Sequence, residues 1–395
     1  MKKISLVAAS LLLSSNLVAN NSIEEAIKGG TISGDVTLYG ERQNNSGHNT
    51  ADENVKDSGF TMGSINLMYE TGDFNGFKAA VGFRGNHDFS EVEDNDYFNE
   101  DDEGYQEKTA ILHTANISYT NAYFGLTFGR QEIDLEWMGD FHEAAVLAVT
   151  AIPDTTIVAG YSERIAVADE DAFLEKFDDL GDGAFVLDAK YEGIENLVLN
   201  PYYYNVDKDV EDEDTGRHRN ADASWYGLKA DFDTEMFGIT LHGAKSSEDE
   251  NGVDDGQIVH AEGRLNIAGL GLAAGYIKTD SDGGIGSMDA AGDNINPFDA
   301  IIGGDGNQVY STDAKTAYIA ATYELAGIGL TAVYGQTKYD NEDDEIKEKE
   351  FDLGAEYGIT ENLSVAALYI NVDSDKPTED YEDYDKFTLT LQYSF

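Results

Sequence analysis

The chain has no cysteine and only four prolines among its 395 residues, and its 25 basic residues face 77 acidic ones. Without cysteine there are no disulfides, no thiol catalysis and no thiolate metal site. With so little proline, long hydrogen-bonded ladders run uninterrupted, and 41 glycines are available for tight turns. The formal net charge of −52 removes the basic footprint of a nucleic-acid binder, so no nucleic-acid partner is expected. No segment reaches the ~20 apolar residues of a membrane-spanning helix. The histidines are scattered, and neither G-x-S-x-G nor a phosphate loop occurs, so the chain reads as a non-enzyme. Charge of this size usually accompanies disorder. Here 41% hydrophobic residues, 23 Tyr and 18 Phe point to a folded chain.

What is present starts with an export signal. Lys2 and Lys3 precede an apolar run from Ile4 to Leu13, and Leu17 to Ala19 offers a small-residue cleavage point, giving a signal peptide over 1–19. Residues 20–30 read as a short periplasmic helix, with Ser22 as cap, Glu25 at the capping-box position and Gly29 as stop.

From 31 to 395 one pattern repeats, so we read one domain. Period-2 segments are joined alternately by short and long connections. The short ones fall at 72–76, 120–122, 152–154, 193–196, 234–236, 268–270, 326–327 and 358–362. The long, mostly acidic ones fall at 44–58, 88–105, 132–141, 166–183, 208–219, 247–257, 280–313, 340–348 and 374–384. This predicts an all-β fold: a transmembrane antiparallel β-barrel of about 18 strands, with its short turns on the periplasmic side. The last segment is the clearest. Phe387, Leu389, Leu391, Tyr393 and Phe395 share one parity, and Lys386, Thr388, Thr390 and Gln392 the other. The first parity should face lipid, the second the lumen, and the strand should pair with TISGDVTLYGE to close the barrel.

Other segments sort the same way: Tyr226 and Leu228 oppose Trp225 and Lys229, and Leu353 opposes Asp352. Tyr39, Tyr69, Tyr119, Tyr123, Phe124, Tyr191 and Tyr357 suggest an interfacial aromatic girdle. LSVAALYINV is apolar on both parities, which suggests contact with a neighbouring protomer. A barrel this wide encloses water unless something narrows it. The best candidate is the third long connection, GRQEIDLEWMGDFHEA, which mixes Asp134, Glu136, Asp140 and Glu143 with Leu135, Trp137, Met138 and Phe141. Its apolar content predicts an inward fold with carboxylates in the pore; NPFDAII at 296–302 is a second inward candidate. Arg84, Arg164 and Arg264 have lumen parity and should stand opposite, while Arg130 needs a bulge to reach the pore. Oxygen-rich DSDGG (280–284) and GDGNQ (304–308) lack EF-hand spacing and read as solvated loops.

The signal, SIEEAIKGGTISGDVTLYGE, GRQEID…FHEAAVLAVTAIPDTTIVAGY and terminal LQYSF together resemble the campylobacter-type major outer-membrane porins, which are distantly similar to the outer-membrane porin D family. The resemblance implies an 18-stranded barrel in a Gram-negative outer membrane, a homotrimer among lipid and lipopolysaccharide, and a third-loop constriction. It implies no required cofactor, with Ca²⁺ at Asp134, Glu136 and Asp140 in some members. The expected function is a cation-preferring, water-filled channel for ions and small hydrophilic solutes. The alternatives are a substrate-specific channel with a solute site at the constriction, and an adhesin or barrel enzyme working through acidic external loops.

Overall fold

A computed structural model describes residues 22–45, 56–94, 96–97, 109–212, 217–249, 254–285, 295–298, 308–341, 344–375 and 383–395. The signal segment lies outside them. A short helix, α1 (Ile23–Lys28), comes first; the Ser22 hydroxyl accepts from the Glu25 amide at 3.2 Å, as the capping motif requires. Eighteen strands follow. They are β1 (Thr31–Asn45), β2 (Phe60–Glu70), β3 (Phe77–Glu91), β4 (Ala110–Thr120), β5 (Phe124–Glu132) and β6 (Phe141–Val149). Next come β7 (Thr155–Ala166), β8 (Asp178–Ile194), β9 (Leu197–Asp212), β10 (Arg217–Asp233), β11 (Phe237–Glu248) and β12 (Gly256–Ile267). The ring is completed by β13 (Leu270–Thr279), β14 (Lys315–Leu325), β15 (Ile328–Asn341), β16 (Asp344–Gly358), β17 (Leu363–Ser374) and β18 (Tyr384–Ser394).

Each strand pairs antiparallel with the next, and β18 pairs with β1, setting Leu38 opposite Leu391 and Gly40 opposite Leu389. The closed ladder gives every strand two hydrogen-bonded neighbours, the condition hydrocarbon imposes. No helix among the described residues is long and apolar enough to cross a membrane. The short connections owe their tightness to left-handed backbone. Asn75–Gly76, Ala268–Gly269 and Ala326–Gly327 each place two positive φ angles in succession. That is the geometry whose twist matches a two-residue hairpin.

The faces sort by parity. On β18, Phe387, Leu389 and Tyr393, with Phe395 just past its end, are 47–48% exposed on the outer surface, whereas Lys386 and Thr388 are buried on the inner one. On β10, Leu228 lies outside and Trp225 is fully buried inside. Tyr69, Tyr119, Phe124, Tyr191 and Tyr357 share parity with outward residues near the short turns, and Tyr119 packs on Phe77 with ring centroids 4.8 Å apart. Tyr39 does not belong with them. It shares parity with Asp35 and Thr37, faces inward, and packs with Phe60 and Met62. The second apolar face of β17 also turns inward: Ile370 and Val372 are buried with Tyr384. That apolar parity is therefore covered within the barrel rather than by a neighbouring protomer.

Candidate pore constriction

The connection between β5 and β6 continues their hairpin as a narrow finger. Ile133 N donates to Asp140 O and Leu135 N to Met138 O, both at 2.8 Å. Glu136 and Trp137 occupy the tip. Asp140 bends the returning arm with a φ of 65°, which a short polar side chain tolerates. Ile133, Trp137 and Met138 are nearly fully buried, a hydrophobic gain the finger makes only by lying inside the barrel. On the wall it meets, Tyr202 lies over Gly227 and Tyr318 over Gly275. A Cβ at either glycine would collide with the ring, so the missing side chains let both tyrosines lie against the sheet.

The tip is fixed by a polar relay. The Trp137 indole donates to the Tyr202 hydroxyl at 2.8 Å, and that hydroxyl meets His242 Nε2 at 2.6 Å. Indole nitrogen only donates, so the tyrosine hydrogen goes to Nε2 and a neutral His242 carries its proton on Nδ1. Nδ1 faces Glu136 Oε1 at 3.5 Å. Lys229 Nζ reaches both Glu136 oxygens, at 2.9 and 3.1 Å. Burial pushes the Glu136 carboxyl above its usual range, and Lys229 pulls it back.

Two further connections fold inward. Residues 167–177, between β7 and β8, reach the β18–β1–β3 wall. Asn86 Nδ2 donates to the carbonyls of Asp169 and Ala172 at 2.8 and 2.7 Å. Glu170 lies 3.4 Å from Arg84 and accepts from Gln392 at 3.2 Å. Phe173 packs on the Tyr39 cluster, and Leu174 is buried against Ile111, Ala166 and Ala168. Between β13 and β14 the described residues Ile295, Phe298 and Val309 join the lumenal core that holds Trp137 and Met138, while 299–302 of the NPFDAII candidate lie outside the described residues. Tyr310 meets the Trp137 ring edge-on, 6.1 Å between centroids.

The predicted residues fall into four groups. Arg84 is buried on the inner wall, bonded to Asp35 at 3.1 Å and to Ser64 at 2.8 Å. Arg264 bonds Glu262 at 2.6 Å and Asp233 at 3.0 Å. Glu136 is at the finger tip, with Asp134 and Asp140 on its arms. Arg130, Glu143 and Arg164 stand apart. Strand register sets Arg130 opposite Glu143 and Glu143 opposite Arg164, on the parity of outward-facing Phe128. They form a cross-strand row with Asp179 (Arg130–Glu143 2.6 Å, Glu143–Arg164 3.7 Å, Arg164–Asp179 2.7 Å) and do not meet Glu136. Bulges in β6–β7 and β7–β8 turn Arg164 to this side, against its expected lumen parity.

The acidic groups of the two inward loops feel one another. Burial, then Asp169, Glu132 and Glu175, pushes Asp140 up to about 7. Burial, then Asp171 and Glu170, pushes Asp169 up to about 6, with Arg84 opposing. No three metal-ligating side chains converge among the described residues, and Glu136 is taken by Lys229, so Asp134, Glu136 and Asp140 do not fit a Ca²⁺ cage. Asp280 accepts from the Asp282 amide at 2.9 Å, a local turn within DSDGG; most of GDGNQ lies outside the described residues.

No family model matches the sequence, and no curated protein matches it by sequence. The fold is similar to solved structures of Occ and Opd proteins from Pseudomonas aeruginosa and Acinetobacter baumannii. Pseudomonas aeruginosa OpdO superposes with a TM-score of 0.72 at 16% identity, covering 94% of this chain and 98% of that one. Pseudomonas aeruginosa OpdQ gives 0.68 at 16% identity, covering 94% and 99%. Acinetobacter baumannii OccAB2 gives 0.70 at 13% identity, covering 94% and 99%. At these identities the likeness establishes the fold: a closed 18-stranded antiparallel barrel.

Proposed function

We propose that the chain is an outer-membrane porin, a water-filled channel that prefers cations and passes ions and small hydrophilic solutes by diffusion. One observation carries the preference. Arg84, Lys229, Arg264 and Lys386, four of the described basic side chains on the inner wall, each have a carboxylate oxygen 2.6–3.1 Å away, and Lys78 has one at 2.6 Å. Asp169, Asp171 and Glu175 on the loop 167–177 add negative charge beyond these pairs, and Asp140, raised to about 7, adds part of one at neutral pH. Cations are concentrated by such a lumen, and salt screens the effect. The apolar outer belt supports membrane residence, and the sequence blocks of the campylobacter-type porins support that finer assignment. Homotrimer assembly and lipopolysaccharide contact are part of the proposal.

A second reading, a channel with a solute site at the constriction, is supported by the tight packing of three inward loops. Planar-bilayer recording tests both. Stepwise ohmic currents support the porin, and their block by one class of sugar, amino acid or organic acid supports the second reading. A folded, inserted barrel that passes no current contradicts both.

A further inference from the structure

The helix α1 has a face that nothing in the described chain covers. Ile23 and Ile27, one turn apart, are 62% and 54% exposed, while Ala26 is buried against the barrel. Glu24 and Lys28 pair at 2.6 Å on the neighbouring side, both largely in water. The helix therefore has three arcs: one packed, one polar and one apolar.

Its docking fixes where the apolar arc points. Gly72 N, in the turn after β2, donates to Ala26 O at 2.9 Å, and the Tyr69 hydroxyl donates to Ile27 O. Tyr69 has the parity of Ile65, which is on the outer face of β2. Beside it on β1, Ile32 is also exposed on the outer parity, and the seam with β18 adds Tyr393 and Phe395. Ile23 and Ile27 thus continue the apolar belt past the end of the strands, on the short-turn side.

We propose that α1 is an interfacial foot: Ile23 and Ile27 enter the acyl boundary of the periplasmic leaflet, and Glu24 and Lys28 stay at its aqueous edge. The occupant is phospholipid, because the patch is continuous with the lipid-facing belt; the proposal rests on the membrane reading given above. Amphipathic helices lie in bilayer interfaces for this reason.

The cysteine-free chain allows single-site labelling. Ile23→Cys, Glu25→Cys, Ile27→Cys and Leu389→Cys are each given a nitroxide label and reconstituted in phosphatidylethanolamine–phosphatidylglycerol vesicles. Collisions with lipid-soluble oxygen and with a water-soluble nickel chelate are then measured. Labels at 23 and 27 should resemble Leu389→Cys, with oxygen-to-nickel ratios several-fold above that of Glu25→Cys. If Leu389→Cys is in lipid but Ile27→Cys collides with nickel as Glu25→Cys does, the foot is overturned and the barrel reading stands. Shielding of Ile27→Cys from both agents means protein covers it, which also overturns the proposal. A Leu389→Cys label in water overturns the membrane reading itself, and the foot with it.

Discussion

Trp137 and Tyr202 meet through a hydrogen bond of 2.8 Å, donated by the indole to the phenol, between the tip of one inward loop and the wall. Both side chains are buried, and Tyr202 in turn holds His242. Tyr202→Phe keeps the ring over Gly227 but leaves the indole N–H without its acceptor, a cost of about 1–3 kcal/mol. The finger should loosen, so single-channel current noise should rise. Unaltered noise would mean that packing alone holds the tip.

Glu136→Gln tests the second anchor. It leaves the Lys229 charge without its carboxylate, and losing one partner of a buried pair costs about 3–5 kcal/mol, with partly exposed Lys229 favouring the low end. Selectivity for potassium over chloride should fall while the barrel still folds, as judged by heat-modifiable gel migration. Preserved selectivity would remove Glu136–Lys229 from the pore's electrostatics.

Acidification should weaken cation preference through the loop carboxylates. Asp140 and Asp169 are raised to about 7 and about 6, so they lose charge between about pH 8 and about pH 5. The sign for stability is the opposite of the usual carboxylate case. A folded-state value above the unfolded one means the contribution is full below the unfolded value and is lost as pH rises through the folded one. The inward packing of 133–140 and 167–177 should therefore be tighter at low pH, read as greater protease resistance. Selectivity that stays flat over this window contradicts the assignment of these groups to the pore.

The seam can be tested chemically. Leu38 and Leu391 are direct cross-strand partners, and such partners have Cα atoms ~4.5–5.5 Å apart, within disulfide range. Leu38→Cys with Leu391→Cys should cross-link on mild oxidation, whereas Leu38→Cys with Leu389→Cys, two residues out of register on the same face, should do so poorly. Equal cross-linking of both pairs contradicts the register.

The strands, their alternating connections and the β1–β18 closure were legible in the sequence because period-2 patterning and turn residues are local. The inward third connection was legible from Trp137 and Met138, which no solvated loop would carry without reason. The 167–177 loop carries the same signal in Phe173, Leu174 and Phe177, but its acids (Asp169, Glu170, Asp171) make it look like the external loops. Tyr39 was assigned by residue type, although its parity with Asp35 already placed it inside. The row from Arg130 to Asp179 depends on bulges and on register across four strands, and neither is written in any one segment.

The most direct test of the central claim is the zero-current potential of the reconstituted wild-type channel across a potassium chloride gradient at low salt and neutral pH. The carboxylate-rich lumen predicts a cation-selective sign that shrinks toward zero as salt is raised. An anion-selective sign at low salt, or a potential indifferent to salt, would contradict it.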